Sequence, residues 1–150
     1  MTQTVLSERP QEAKKLYPYQ EEAIAQILTA ILKKEDSSNI LFQLPTGGGK
    51  TVIFSEVIRR FIHQTNRKVL ILTHRIELLR QTMTSLSDTG VHSSMITSEV
   101  KTIEDRVESH CYLAMVETLN NRLQEDHKFI GEIDLVIVDE AHYNSFKKIF

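Results

Sequence analysis

Apolar residues recur along this chain in two rhythms. Ile24, Ile27, Leu28, Ile31 and Leu32 are spaced i, i+3, i+4, i+7 and i+8, one stripe of a helix that opens at Tyr17-Pro18-Tyr19-Gln20. Pro18 stands where a first helical turn needs no N–H, and Lys33-Lys34 falls where the carboxyl end of the helix dipole favours positive charge. Asp36-Ser37-Ser38-Asn39 is a turn cluster. Ile40 to Leu44 is then a short, unbroken apolar run closed by Pro45, the pattern of a strand covered on both faces. After a Thr46-Gly47-Gly48-Gly49 loop, Ile53, Phe54, Val57, Ile58 and Phe61 mark a helix from Lys50 to about Gln64.

The alternation continues. Val69 to Leu72 predicts a second buried strand, and Arg75 to Ser87 a helix with Ile76, Leu79, Met83 and Leu86 on its stripe, stopped by Asp88-Thr89-Gly90. Residues 91–110 carry weaker signals: a short strand near Met95-Ile96 and a helix from Ile103 to Glu108. Cys111 to Val116 predicts a third strong strand, Thr118 to Leu123 a helical turn, and Leu135 to Val138 a fourth strong strand. Strands of this kind between amphipathic helices predict an α/β fold, a mostly parallel sheet with helices on both faces and right-handed crossovers. Residues 1–15 show no period and are expected to form an arm; residues 16–150 read as one domain, with no internal repeat.

Composition narrows the class. The chain has 150 residues, 41% of them hydrophobic and 25% charged, which suits a globular domain with a core of its own. One cysteine, Cys111, excludes an internal disulfide framework and points to a reducing, cytoplasmic setting. No apolar run reaches membrane-span length, and the polar start MTQTVLSERP lacks a signal-peptide centre. The net charge of −2 divides into +4 over residues 1–75 and −6 over residues 76–150. The densest basic stretch, Arg59, Arg60, Arg67, Lys68, Arg75 and Arg80, reads on composition alone as a solvated surface.

Two motifs carry chemistry. Thr46-Gly47-Gly48-Gly49-Lys50-Thr51 lies between a strand and a helix, the setting of a phosphate-binding loop. Glycines let backbone N–H groups approach phosphate oxygens, and the helix directs its positive end at the same place. Lys50 adds charge for the β- and γ-phosphates, and Thr51 offers a hydroxyl to Mg²⁺. Where the strict pattern opens on glycine, this chain reads Leu44-Pro45. The second motif is Asp139-Glu140 at the tip of the last strand, where open α/β sheets place ligand chemistry. Asp139 is placed to hold Mg²⁺ and Glu140 to take a proton from an attacking water. The two together predict Mg-nucleotide binding.

Thr46-Gly47-Gly48-Gly49-Lys50-Thr51 followed by Asp139-Glu140-Ala141-His142 resembles the first RecA-like domain of superfamily 2 DEAH-box helicases and translocases, in their restriction-subunit and repair-helicase branch. Three further segments resemble it: Leu16-Tyr17-Pro18-Tyr19-Gln20, Thr73 to Gln81, and Ala114 to Leu119. The resemblance implies that Gln20 reads the adenine of ATP, whose N6 and N7 a carboxamide matches, with Tyr17 beside the base where this branch often has arginine. It implies nucleic-acid contacts from Arg75 and Thr118, and coupling of the γ-phosphate site to the nucleic acid or a partner domain by His142. Glu117 departs from the glutamine common at its position.

It also implies what should lie beyond: a Ser-Ala-Thr-like strand and a second RecA-like domain with an arginine finger. Phe146, Ile149 and Phe150 read as the start of an amphipathic helix, so the chain is expected to be the ATP-binding part of a longer protein. Alone it is expected to bind nucleotide weakly, to hydrolyse little, not to unwind, and to self-associate through open sheet edges. DNA is the expected track, with an RNA helicase or a nucleotide-binding switch without translocation as the alternatives. Cys111 reads as core packing rather than chemistry.

Overall fold

The computed structural model describes residues 15–33, 40, 49–98 and 110–138. In chain order these form α1 (Pro18–Lys33), α2 (Lys50–Thr65), β1 (Val69–Thr73), α3 (Ile76–Asp88), β2 (Ser93–Ile96), β3 (Cys111–Met115), α4 (Val116–Glu125) and β4 (Leu135–Val138). The four strands form one parallel sheet in the order β2-β3-β1-β4. The predicted α/β fold is therefore present. The expected strand at 40–44, the helix at 103–108, the N-terminal arm and the Asp-Glu-Ala-His segment lie outside the described residues, apart from Lys15 and Ile40 at their borders.

β1 lies at the centre of the sheet, in register with β3 from Val69↔Cys111 to Thr73↔Met115 and with β4 from Val69↔Leu135 to Leu72↔Val138. All five of its residues are buried. Alternate residues face opposite sides, so a strand flanked on both faces must be apolar throughout. Val69 and Ile71, with Cys111 and Leu113 of β3, pack against Ile24 and Leu28 of α1, Ile53, Val57 and Phe61 of α2, and Leu79 and Leu86 of α3. Leu70 and Leu72, with Tyr112 and Ala114, form a smaller core with Val116 and Leu119 of α4, Phe129 and Ile130. Before β4, Lys68 N–H donates to Asp134 Oδ2 at 3.0 Å, while Lys68 O accepts from Leu135 N–H at 3.2 Å.

Two junctions and one buried position differ from the sequence expectation. β3 ends at Met115 and α4 begins at Val116, so the expected short turn is a helix of ten residues. Val116 extends the apolar run of β3, yet it belongs to the helical period: with Leu119 at i+3 it covers the second face. Arg75 precedes α3 in an extended conformation (φ −123°, ψ 130°) instead of opening it. Met83 is exposed, and Thr82 takes the buried position beside Leu79 and Leu86.

Candidate functional site

α2 starts abruptly. Its N-cap, Gly49, is left-handed (φ 73°, ψ 36°), and no side chain caps the helix there. An L side chain is disfavoured at that φ, which explains glycine at this position. Gly49 O accepts from Ile53 N–H at 3.0 Å, so helical pairing starts at once. The first turn holds no acidic residue, and Lys50 is its first member, exposed, with Thr51 half-buried behind it. An uncapped amino end whose first turn holds no acidic residue presents backbone N–H groups and the positive end of the helix dipole.

α1 closes on this place. Gln20 is 5% exposed, not a solvated helix residue. Its Oε1 accepts from Tyr17 N–H at 3.0 Å, while Tyr17 O accepts from Gln20 N–H at 2.9 Å and Glu21 N–H at 3.1 Å. This is the reach-back half of a capping box, which satisfies a helix-start donor with the side chain three residues on. The other end of the carboxamide abuts Gly49: Nε2 lies 2.4 Å from where a Cβ on Gly49 would stand, and Tyr19 Oη 3.9 Å from it. Gly49 is thus glycine for space as well as for φ. Tyr17 is 65% exposed and stacks on Tyr19, with ring centroids 6.1 Å apart and planes 8° from parallel. Gln20, Tyr17, Tyr19, Gly49 and Lys50 are therefore assembled around one helix start.

An ion-pair chain holds α1 and α2 in this relation. Glu56 accepts from Arg59 Nη2 at 2.6 Å and Arg60 Nε at 2.8 Å, and Arg60 Nη2 reaches Glu21 Oε2 at 3.0 Å. Glu21 is the residue after Gln20. The hydrogen bond from Arg59, helped by Arg60, holds the Glu56 carboxyl below its ordinary value of 4.5 against the opposing effect of burial. Glu56 in turn raises Arg59. These two arginines, expected as part of a solvated basic surface, are committed to carboxylates. The i, i+3 and i, i+4 spacing of Glu56 with Arg59 and Arg60 was the sequence signal for this.

The remaining candidates lie at the carboxyl ends of the strands. Arg75 is exposed between β1 and α3, and Thr118 is half-buried in the first turn of α4. Ile76 and Thr118, with Thr97 and Ser98 after β2, line one cavity of about 150 Å³ floored by Leu79, Met95 and Met115. Arg122 donates to Ser98 O and pairs with Glu125, a tie that sequence reasoning missed. Thr46, Gly47, Gly48, Asp139, Glu140 and His142 lie outside the described residues. Among the described residues no group of three or more His, Cys, Asp or Glu is placed to hold a metal ion. None of the described helices is long and apolar enough to cross a membrane.

Comparisons with known proteins extend this picture. The family model of the type III restriction enzyme res subunit matches residues 13–150. IRC3 of Saccharomyces cerevisiae, an ATP-dependent helicase by name, is 38% identical over 148 residues, covering 89% of this chain and 20% of that protein. The mouse ATP-dependent RNA helicase DHX58 is 30% identical over 147 residues, covering 85% of this chain and 20% of its own length. The chain thus spans about a fifth of the length of these relatives. In fold it is similar to a nuclease-deletion mutant of the type ISP restriction-modification enzyme LlaGI, solved with a DNA substrate mimic (TM-score 0.65, 20% identity, 91% of this chain and 16% of that one). The family match and these relatives show that the chain belongs to the type III restriction enzyme res-subunit family, as an N-terminal RecA-like domain of superfamily 2 helicases.

Proposed function

We propose that this chain is the ATP-binding part of an ATP-dependent helicase or translocase that acts on nucleic acid, with DNA as its track. The observation that carries the reading is the uncapped, left-handed start of α2 at Gly49-Lys50 with Gln20 packed against it. Thr46, Gly47, Gly48 and Gly49 are assigned to the phosphates of ATP, and Lys50 to the charge on its β- and γ-phosphates. Gln20 is assigned to the adenine through its Nε2, since its Oε1 accepts from Tyr17 N–H, and Tyr17 offers the base a flat, exposed ring. Thr51 and Asp139 hold Mg²⁺, which when bound offsets charge that develops on the phosphates. Glu140 takes the proton of the attacking water, and His142 links that event to the nucleic-acid face.

Arg75 and Thr118 form that face, at the sheet end where open α/β folds bind ligands. DNA is favoured by the family, whose name is that of a restriction-enzyme subunit, and by the likeness of Thr73-His74-Arg75 to the DNA-acting branch. RNA is the second reading, since one relative is named an RNA helicase. Competition between single-stranded DNA and RNA of one sequence for the chain tests the choice. Tighter retention of DNA is expected. Preference for RNA would transfer the reading to RNA, and failure to bind either would contradict the nucleic-acid role.

A further inference from the structure

The nucleic-acid face just proposed is assembled from three exits of the sheet. β1 leads to Arg75 and α3, β2 to Thr97-Ser98, and β3 to α4 with Thr118. Ile76, Thr97, Ser98 and Thr118 line the same cavity, so the three exits converge. The β2 exit stands at the edge of the described sheet, and its pairing with β3 ends at Ile96↔Ala114. Beyond that point Arg122 holds it. Arg122 Nη2 donates to Ser98 O across 24 residues of chain, and Nη1 pairs with Glu125 Oε2 at 3.2 Å, less than a turn along α4. The Arg122 side chain is 15% exposed while that of Glu125 is 70% exposed, so the arginine lies mostly against the domain and its carboxylate partner lies outside.

Thr118 and Arg122 are i and i+4 on α4 and share a face of that helix. A planar fork steered by one carboxylate and docked on one carbonyl has a fixed geometry, which a flexible ammonium does not reproduce. We infer that Arg122 is a positioning residue for nucleic-acid binding: it docks the Thr97-Ser98 turn onto the face of α4 that carries Thr118, and does not itself contact the strand. This rests on the reading of that face as a nucleic-acid surface.

The test compares the wild-type chain with Arg122→Ala and Arg122→Lys, using fluorescence anisotropy on a short single-stranded DNA across a salt series. Mg-ATP titration and urea unfolding of the same proteins report on the nucleotide site and the fold. Both variants are expected to bind DNA about tenfold more weakly, with the salt slope and the ATP affinity unchanged. A direct phosphate contact would instead lower the salt slope by about one in Arg122→Ala and be rescued by lysine, and either result overturns the inference. Wild-type affinity in both variants overturns it as well. Loss of folding in both would assign Arg122 to stability alone and equally overturn it. No DNA binding by the wild-type chain would remove the nucleic-acid reading and this inference together, whereas binding by the wild type without a change in the variants removes only the inference.

Discussion

Gly49→Ala joins α1 and the start of α2 in one measurable energy. The backbone at Gly49 is left-handed (φ 73°), which costs an alanine about 1–2 kcal/mol. Its new methyl would stand 2.4 Å from Gln20 Nε2, well inside van der Waals contact. Gln20 is a flexible side chain and swings away, which breaks the 3.0 Å bond that Tyr17 N–H donates to its Oε1. A cap-type hydrogen bond of that kind contributes about 1 kcal/mol. Gly49→Ala is therefore expected to destabilise the chain by about 2–3 kcal/mol, and by only about 1–2 kcal/mol when Gln20 is already alanine. Urea unfolding followed by far-ultraviolet circular dichroism on wild type, both single variants and the double variant gives the coupling. A coupling energy near 1 kcal/mol supports the packing of Gln20 on Gly49, while additivity within about 0.5 kcal/mol would refute it.

Other expectations follow from the ion pairs and the core. Glu56 has a folded pKa below its ordinary 4.5, so its contribution is present above that value and is lost as pH falls through the lowered one. Glu56→Gln should cost roughly 1 kcal/mol at neutral pH, and its gap in urea midpoint from wild type should close on acidification; a gap that stays constant into strong acid would contradict the pairing. Cys111 is buried and its thiol is pushed up to about 12 by desolvation. Thiol reagents at mildly alkaline pH should leave the native chain unlabelled and label it promptly in urea, and rapid labelling of the native chain would place Cys111 outside the core.

Strong periodicities were legible in the sequence because burial on one stripe, or on both faces of a strand, leaves little choice of residue. Ile24 and Leu28 of α1 and the whole of β1 and β3 are where their apolar spacing puts them. What escaped was set by tertiary contact. Gln20 stands out in the sequence as a candidate residue, but its burial against the start of α2 does not show in one dimension. Arg59 and Arg60 look like a basic surface until Glu56 and Glu21 are seen to share them. Val116 continues an apolar run, so composition could not show that the strand stops at Met115 and a helix takes over. β2, with its Ser93-Ser94 start and a single fully buried residue, Ile96, carries an edge strand's faint pattern. Of the candidate site, Gly49, Lys50 and Gln20 stand out in the sequence as candidates, while the contact between Gln20 and Gly49 does not.

Gly49-Lys50 at the start of α2 is proposed to bind the phosphates of a nucleotide. Calorimetric titration of Mg-ATP into the chain, with Lys50→Ala alongside, tests it most directly. Saturable binding by the wild type that is lost in Lys50→Ala, with both proteins folded by circular dichroism, is the predicted result. Equal binding by the two proteins, or none by a folded wild type, would contradict the account.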